Sequence, residues 1–168
     1  MLRFIACVTM LAMAAFVSKA AAAPLPKPTG EVILQIKGKI ANTNGDGVAS
    51  FDLAMLEQLA GRKAVVETPW TKGKVTFDGP LGKALLDAVG TSGTTMRVRA
   101  LNDYSVEIPV KDFLDHNVIL ATKRDGAAMS VREHGPIFVM YPFDQEPGLY
   151  NEKYFSRCVW QVASITID

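Results

Sequence analysis

A cation, a carboxylate and an imidazole stand side by side at Arg132, Glu133 and His134, immediately before Gly135-Pro136. Arg132 offers a planar fork of donors suited to a carboxylate or phosphate, and His134 can donate or accept near neutral pH. Gly135 would let a ligand approach the backbone closely. These residues lie within DGAAMSVREHGPIFVMYPFD, Asp125 to Asp144. That stretch opens on an Asp-Gly turn dipeptide and closes on Ile137 to Tyr141, a β-branched and aromatic run that reads as a buried strand. A connection of this kind stays near the surface, because a buried loop would strand its backbone polar groups. The competing reading is a solvated loop in which Arg132 pairs with Glu133 or a nearby acid, worth at most about 1 kcal/mol.

Other constellations carry less chemistry. His116 follows Asp115 on an exposed turn and reads as a solvated pair. With two histidines, a closed zinc site would need carboxylates at metal-ligand spacing, and none are so placed. Ser130 and His134 set a hydroxyl and a base four apart, without the strained elbow of a serine hydrolase. NTNGDG, Asn42 to Gly47, is a turn cluster and lacks the following carboxylate of a calcium loop. No metal ligand set is expected.

The elements that must position Arg132 to Gly135 are short. Glu31 to Ile40 reads as the first strand. Asp52 caps a short helix with Leu53, Leu56 and Leu59 on one face and Gly61 as its stop. Lys63 to Thr68 is a strand. Pro80 is expected at the first position of a helix whose stripe is Leu81, Ala84, Leu85, Ala88 and Val89, closed by Gly90. Met96 to Ile108 is a hairpin. A three-residue loop, Leu101 to Asp103, pairs Val98 with Val106 and Met96 with Ile108 and keeps one face apolar, whereas a two-residue turn would mix the faces. Lys111 to Asp115 forms one helical turn, Val118 to Thr122 a strand, and Pro142 to Tyr154 an irregular loop. Cys158 to Val162 and Ser164 to Ile167 close the chain as strands. Many short strands with two or three short helices point to an α+β domain.

The first residues, with basic Arg3, apolar Phe4 to Val17 and small residues after, follow the secretory signal pattern, with cleavage expected after Ala22. That apolar run is shorter than the roughly 20 residues of a membrane span, so the chain is not expected to span one. Residues 23–30 form a proline-rich leader, and residues 31–168 are read as a single domain, periplasmic or secreted. Taking Arg3 and Lys19 from 18 basic and 17 acidic residues leaves a formal charge of −1. No basic run exists to track phosphates, which argues against nucleic acid. Cys158 is then the remaining thiol, expected to be buried and inert in a strand whose alternation turns Arg157 to the other face.

TPWTKG, FDGPLGKALLDAVG, ALNDYSVEIP, LATKRDGAAMSVREHGPIFVMYP and RCVWQV occur in this order. Together they resemble the oxidoreductase molybdopterin-binding domain of the sulfite oxidase family, from about Glu31 to Ile167. The resemblance implies a mixed α+β fold with a β-rich core, and a pterin site built from loops at the strand ends, among Arg132 to Gly135, Asn102-Asp103-Tyr104 and Trp70-Thr71. Trp70 and Tyr104 could supply apolar walls with polar tips there. It also implies a molybdenum-binding cysteine in the segment matching Val65 to Trp70, where this sequence, AVVETPW, has none. The expected function is therefore an exported binding or accessory module without a cofactor. Its partner would be a small ligand, anions included, or a membrane sensor or redox protein. The alternative is a minimal molybdopterin-dependent oxidoreductase.

Overall fold

The computed structural model describes residues 25–168; the signal-like segment and the cleavage expected after Ala22 lie outside the described residues. Its central element is a five-stranded sheet ordered β2-β1-β11-β5-β6, made of β1 (Val32–Gly38), β2 (Ala49–Asp52), β5 (Thr95–Ala100), β6 (Ser105–Pro109) and β11 (Val162–Ile167). The last strand lies parallel to the first and antiparallel to β5, so the two ends of the domain meet in the middle of the sheet. Alternation fixes its inner face: Leu34, Ile36, Met96, Val98, Ile108, Ile165 and Ile167 are all buried. A second sheet, ordered β3-β4-β8-β9, comprises β3 (Gly61–Glu67), β4 (Lys74–Pro80), β8 (Lys123–Arg124) and β9 (Ala127–Ala128). A separate pair, β7 (Ile119–Ala121) and β10 (Phe138–Met140), packs beside β4 and is buried along its whole length. The helices are α1 (Leu53–Glu57), α2 (Gly82–Val89), α3 (Val110–Asp115) and α4 (Glu152–Phe155). The architecture is α+β, β-rich, with few short helices.

The β5–β6 hairpin has the expected register, Met96 opposite Ile108, Arg97 opposite Glu107 and Val98 opposite Val106. Its three-residue loop closes through the Ala100 amide on the Tyr104 carbonyl, with Asp103 left-handed. Gly90 is the left-handed stop of α2, at φ 62°. The Asp125-Gly126 turn joins β8 to β9, both residues at positive φ.

Several local expectations are corrected. Pro80 ends β4 rather than opening α2, which begins at Gly82 after Leu81. Asp78-Gly79-Pro80 carries turn chemistry, but pairing with β3 and β8 holds the segment extended, and proline is tolerated at the last strand position. The buried stripe of α2 accordingly takes in Leu86 rather than Ala88. Gly61 opens β3, and α1 stops at Gln58. Cys158 to Gln161 is not strand; one bond from the Val139 amide to the Val159 carbonyl ties it to β10. The leader is not free of the domain. The Thr29 and Gly30 amides both donate to Asp52 Oδ2, at 2.8 Å each, and Leu25 packs on the core.

Candidate functional site

Three separate stretches build one concave wall. The first is the turn after β3. There the Thr68 amide donates to Thr71 Oγ1 at 3.1 Å, the two hydroxyls lie 3.0 Å apart, and the Trp70 amide reaches Thr68 Oγ1. This knot of side-chain-to-backbone bonds holds Trp70 out of the turn and against the aromatic cluster. The Trp70 ring meets Phe138, Phe155 and Trp160 edge-to-face, with centroids 5.9, 5.9 and 5.8 Å away. The second stretch is the β5–β6 tip, where Asn102 Oδ1 accepts from the Tyr104 amide and Tyr104 is 54% exposed. The third is the return segment through α4. Asn151 caps that helix by accepting from the Lys153 amide, and Glu152, Phe155, Ser156, Cys158, Val159 and Trp160 follow on the wall.

The resulting cleft has a volume of about 520 Å³, within the usual range for a small-molecule site. Behind its floor, Asp112 Oδ2 accepts from the Tyr141 hydroxyl and from Arg157, each at 2.6 Å. Arg157 is absent from the cleft lining because this bond, rather than the strand alternation expected from the sequence, directs it, and it anchors the return segment to α3. Burial, then the neighbouring Asp112 carboxylate, hold the Tyr141 phenol far above its ordinary range. Cys158 is 3% exposed, and burial pushes its thiol up to about 12.

Of the residues singled out in the sequence, Trp70, Asn102 and Tyr104 come together on the cleft wall. Asp103 stands beside them at the hairpin tip, its carboxylate taken by Arg99 at 2.7 Å. Thr71 turns its hydroxyl inward to Thr68. Arg132 lies exposed on the 3-10 turn Val131–Glu133 and makes no side-chain hydrogen bond or ion pair among the described residues. Glu133 does not pair with it. The Ser130 hydroxyl and amide both donate to Glu133, which holds that carboxyl below its ordinary range. His134 is left-handed and half-buried, with its ring 5.2 Å from Trp160 and 5.8 Å from Phe138. Gly135 is buried, and a Cβ there would run into the Met129 carbonyl oxygen, so its bareness serves a backbone crossing.

Sequence reasoning missed the return segment as a wall. The signal was there in NEKYFSRCVW, where a capping Asn151 precedes Tyr154, Phe155 and Trp160. Nothing local showed which surface those rings would face.

No protein-family model matches this chain, and no curated protein does either. Among solved structures, the chain is similar to the sulfane dehydrogenase SoxCD from Paracoccus pantotrophus, with a TM-score of 0.57 at 18% sequence identity. The two share a fold. The match covers 80% of this chain and 37% of the SoxCD chain, so this chain spans little more than a third of that protein's length.

The residues present do not fit thiolate-held molybdenum. Val65 to Trp70 offers Glu67 and Thr68, and the Thr68 hydroxyl is already engaged with Thr71. Cys158 reaches the cleft from another segment, outside the one that matches the family's ligating cysteine, and is 3% exposed. Among the described residues, no group of three or more His, Cys, Asp or Glu side chains is placed to hold a metal ion, and no helix is long and apolar enough to cross a membrane.

Proposed function

We propose that this chain is an exported binding or accessory module, which keeps a sulfite-oxidase-like fold and uses the cleft to hold a small organic ligand. The observation that carries this reading is the cleft's composition. Trp70, Phe155 and Trp160 converge on a concave space, Tyr104 stands at its rim, and the one thiol on its wall is held in the neutral form. Such a site has apolar area to bury and a few polar groups, Asn102, Ser156 and Glu152, to orient what enters. It lacks an activated nucleophile. Binding would be read by a partner, such as the outer domain of a membrane sensor or a redox protein. The runner-up is a minimal molybdopterin-dependent oxidoreductase, and the presence of Cys158 on the cleft wall is what favours it.

Two substitutions test the location. Tyr104 is largely exposed, so Tyr104→Ala should weaken ligand binding about tenfold while leaving Tm unchanged. Arg132→Ala should leave both binding and Tm unchanged, because Arg132 does not line the cleft. Thermal-shift screening of small molecules against the three proteins reads both effects. Normal binding by Tyr104→Ala together with loss in Arg132→Ala would move the site to the Arg132–Gly135 loop.

A further inference from the structure

We infer that the ligand of this cleft is a small organic cation, with an alkylated or quaternary ammonium head as the chemistry that fits. The inference rests on the cleft being the binding site, and it opposes the anion that Arg132 and His134 suggest in the sequence. Among the described residues, Glu152 is the one charged side chain on the wall, and no lysine, arginine or histidine lines it. Three basic groups nearby are directed elsewhere, while His134 stands outside the lining with its ring 5.2 Å from that of Trp160. Arg99 is bound to Asp103 at 2.7 Å, Arg157 to Asp112 at 2.6 Å, and Lys153 lies over the Tyr154 ring at 5.0 Å. Glu152 itself is exposed and makes no ion pair among the described residues, so its carboxylate is available at the mouth.

An anion entering this space would lose hydration and meet a carboxylate and the negative faces of aromatic rings. A cation meets the same groups with the opposite sign. Trp70, Trp160 and Phe155 pack on one another edge-to-face at 72° and 80° and all line this space, so a head group resting on the cluster has several rings beside it. Tryptophan is the strongest of the aromatic partners for a cation, and the attraction grows as the head is desolvated. A bare ammonium is strongly hydrated and resists that step. An alkylated head carries its charge on methyl or methylene groups, which also bury apolar surface against the rings. The Asn102 amide and Ser156 hydroxyl then remain for a polar tail.

Both tryptophans of the chain, Trp70 and Trp160, line the cleft, so intrinsic fluorescence reports occupancy directly. The probes are choline, its neutral isostere 3,3-dimethylbutan-1-ol, and the anion 3,3-dimethylbutanoate, each titrated into the exported chain and into Glu152→Gln. Choline is expected to bind about tenfold more tightly than the alcohol, with the carboxylate weakest. Glu152→Gln should shrink that preference several-fold at unchanged Tm. Equal or tighter binding of the alcohol or the carboxylate overturns the cation while leaving the cleft a binding site. If none of the three perturbs the fluorescence up to tens of millimolar, the cleft reading falls and the inference with it.

Discussion

Cys158 lies on the cleft wall yet is 3% exposed, and burial raises its thiol from an ordinary 9.0 to about 12. A group whose pKa rises on folding adds stability that is complete below the unfolded value and is lost as pH climbs through the folded one. Stability should therefore fall between about pH 9 and 12 more steeply in the native chain than in Cys158→Ala, as read by denaturant unfolding across that range. Rapid labelling of Cys158 by a thiol reagent at pH 7 would contradict its burial. Arg157 carries a second residue-scale consequence. It faces Asp112 with side-chain exposures of 18% and 12%, and Tyr141 donates to the same carboxylate. Arg157→Ala leaves that acid largely buried with one donor, and should cost about 2–3 kcal/mol in denaturant unfolding, below the value for fully buried pairs. A loss under 0.5 kcal/mol, roughly that of an ordinary surface substitution, would show the pair to be incidental. Asp112 and Arg157 lie 45 positions apart, so no local pattern connects them.

At the scale of elements, the most legible piece was the β5–β6 hairpin. Its alternation and the cost of mixing faces fixed the loop length and every pair, from Met96–Ile108 to Val98–Val106. Capping was legible too, at Asp52 and Gly90. The second role of Asp52 was not, because its partners come from the leader. One carboxylate accepts from the Met55, Gly30 and Thr29 amides, and these bonds, Met55 foremost, hold it below its ordinary value of 3.8. The stabilisation is present above that ordinary value and is lost as pH falls through the lower folded one. Asp52→Asn should thus lower Tm by a few degrees at neutral pH, and the gap to the native chain should close in strong acid. Limited proteolysis should also cut the variant faster near Thr29. An unchanged cleavage rate would mean that the leader is held by Leu25 and the Asn44 bond to Pro26 instead.

For the molecule as a whole, hydrophobic alternation and turn dipeptides sufficed to read an α+β domain, the family resemblance added its β-rich core, and the SoxCD likeness carries that fold at 18% identity. The strand order was not readable. That β11 would insert between β1 and β5 depends on contacts across more than a hundred residues. β4 was hidden for the reason its sequence shows: Lys74 to Phe77 alternates, but Asp78-Gly79-Pro80 has the chemistry of a turn, and tertiary pairing overrode it. The site was half legible. Trp70, Asn102 and Tyr104 were named as walls from residue chemistry and family resemblance, and they do converge. Arg132 and His134, the side chains with the most evident chemistry, do not line the cleft. Arg132 is solvated, and the His134 imidazole stands against Trp160 rather than among the groups lining the cleft. The third wall, Glu152 to Trp160, read as loop and terminal strand because its shape comes from the Asp112–Arg157 anchor and the rings it meets.

The central claim is that this fold serves binding here and not thiolate-held molybdenum chemistry. Its most direct test is the metal and pterin content of the chain purified from its native cells, measured by elemental analysis and by fluorescence of oxidised pterin. With no cysteine in Val65 to Trp70, the expected result is no stoichiometric molybdenum and no bound pterin. About one molybdenum and one pterin per chain would contradict it and establish the oxidoreductase in its place.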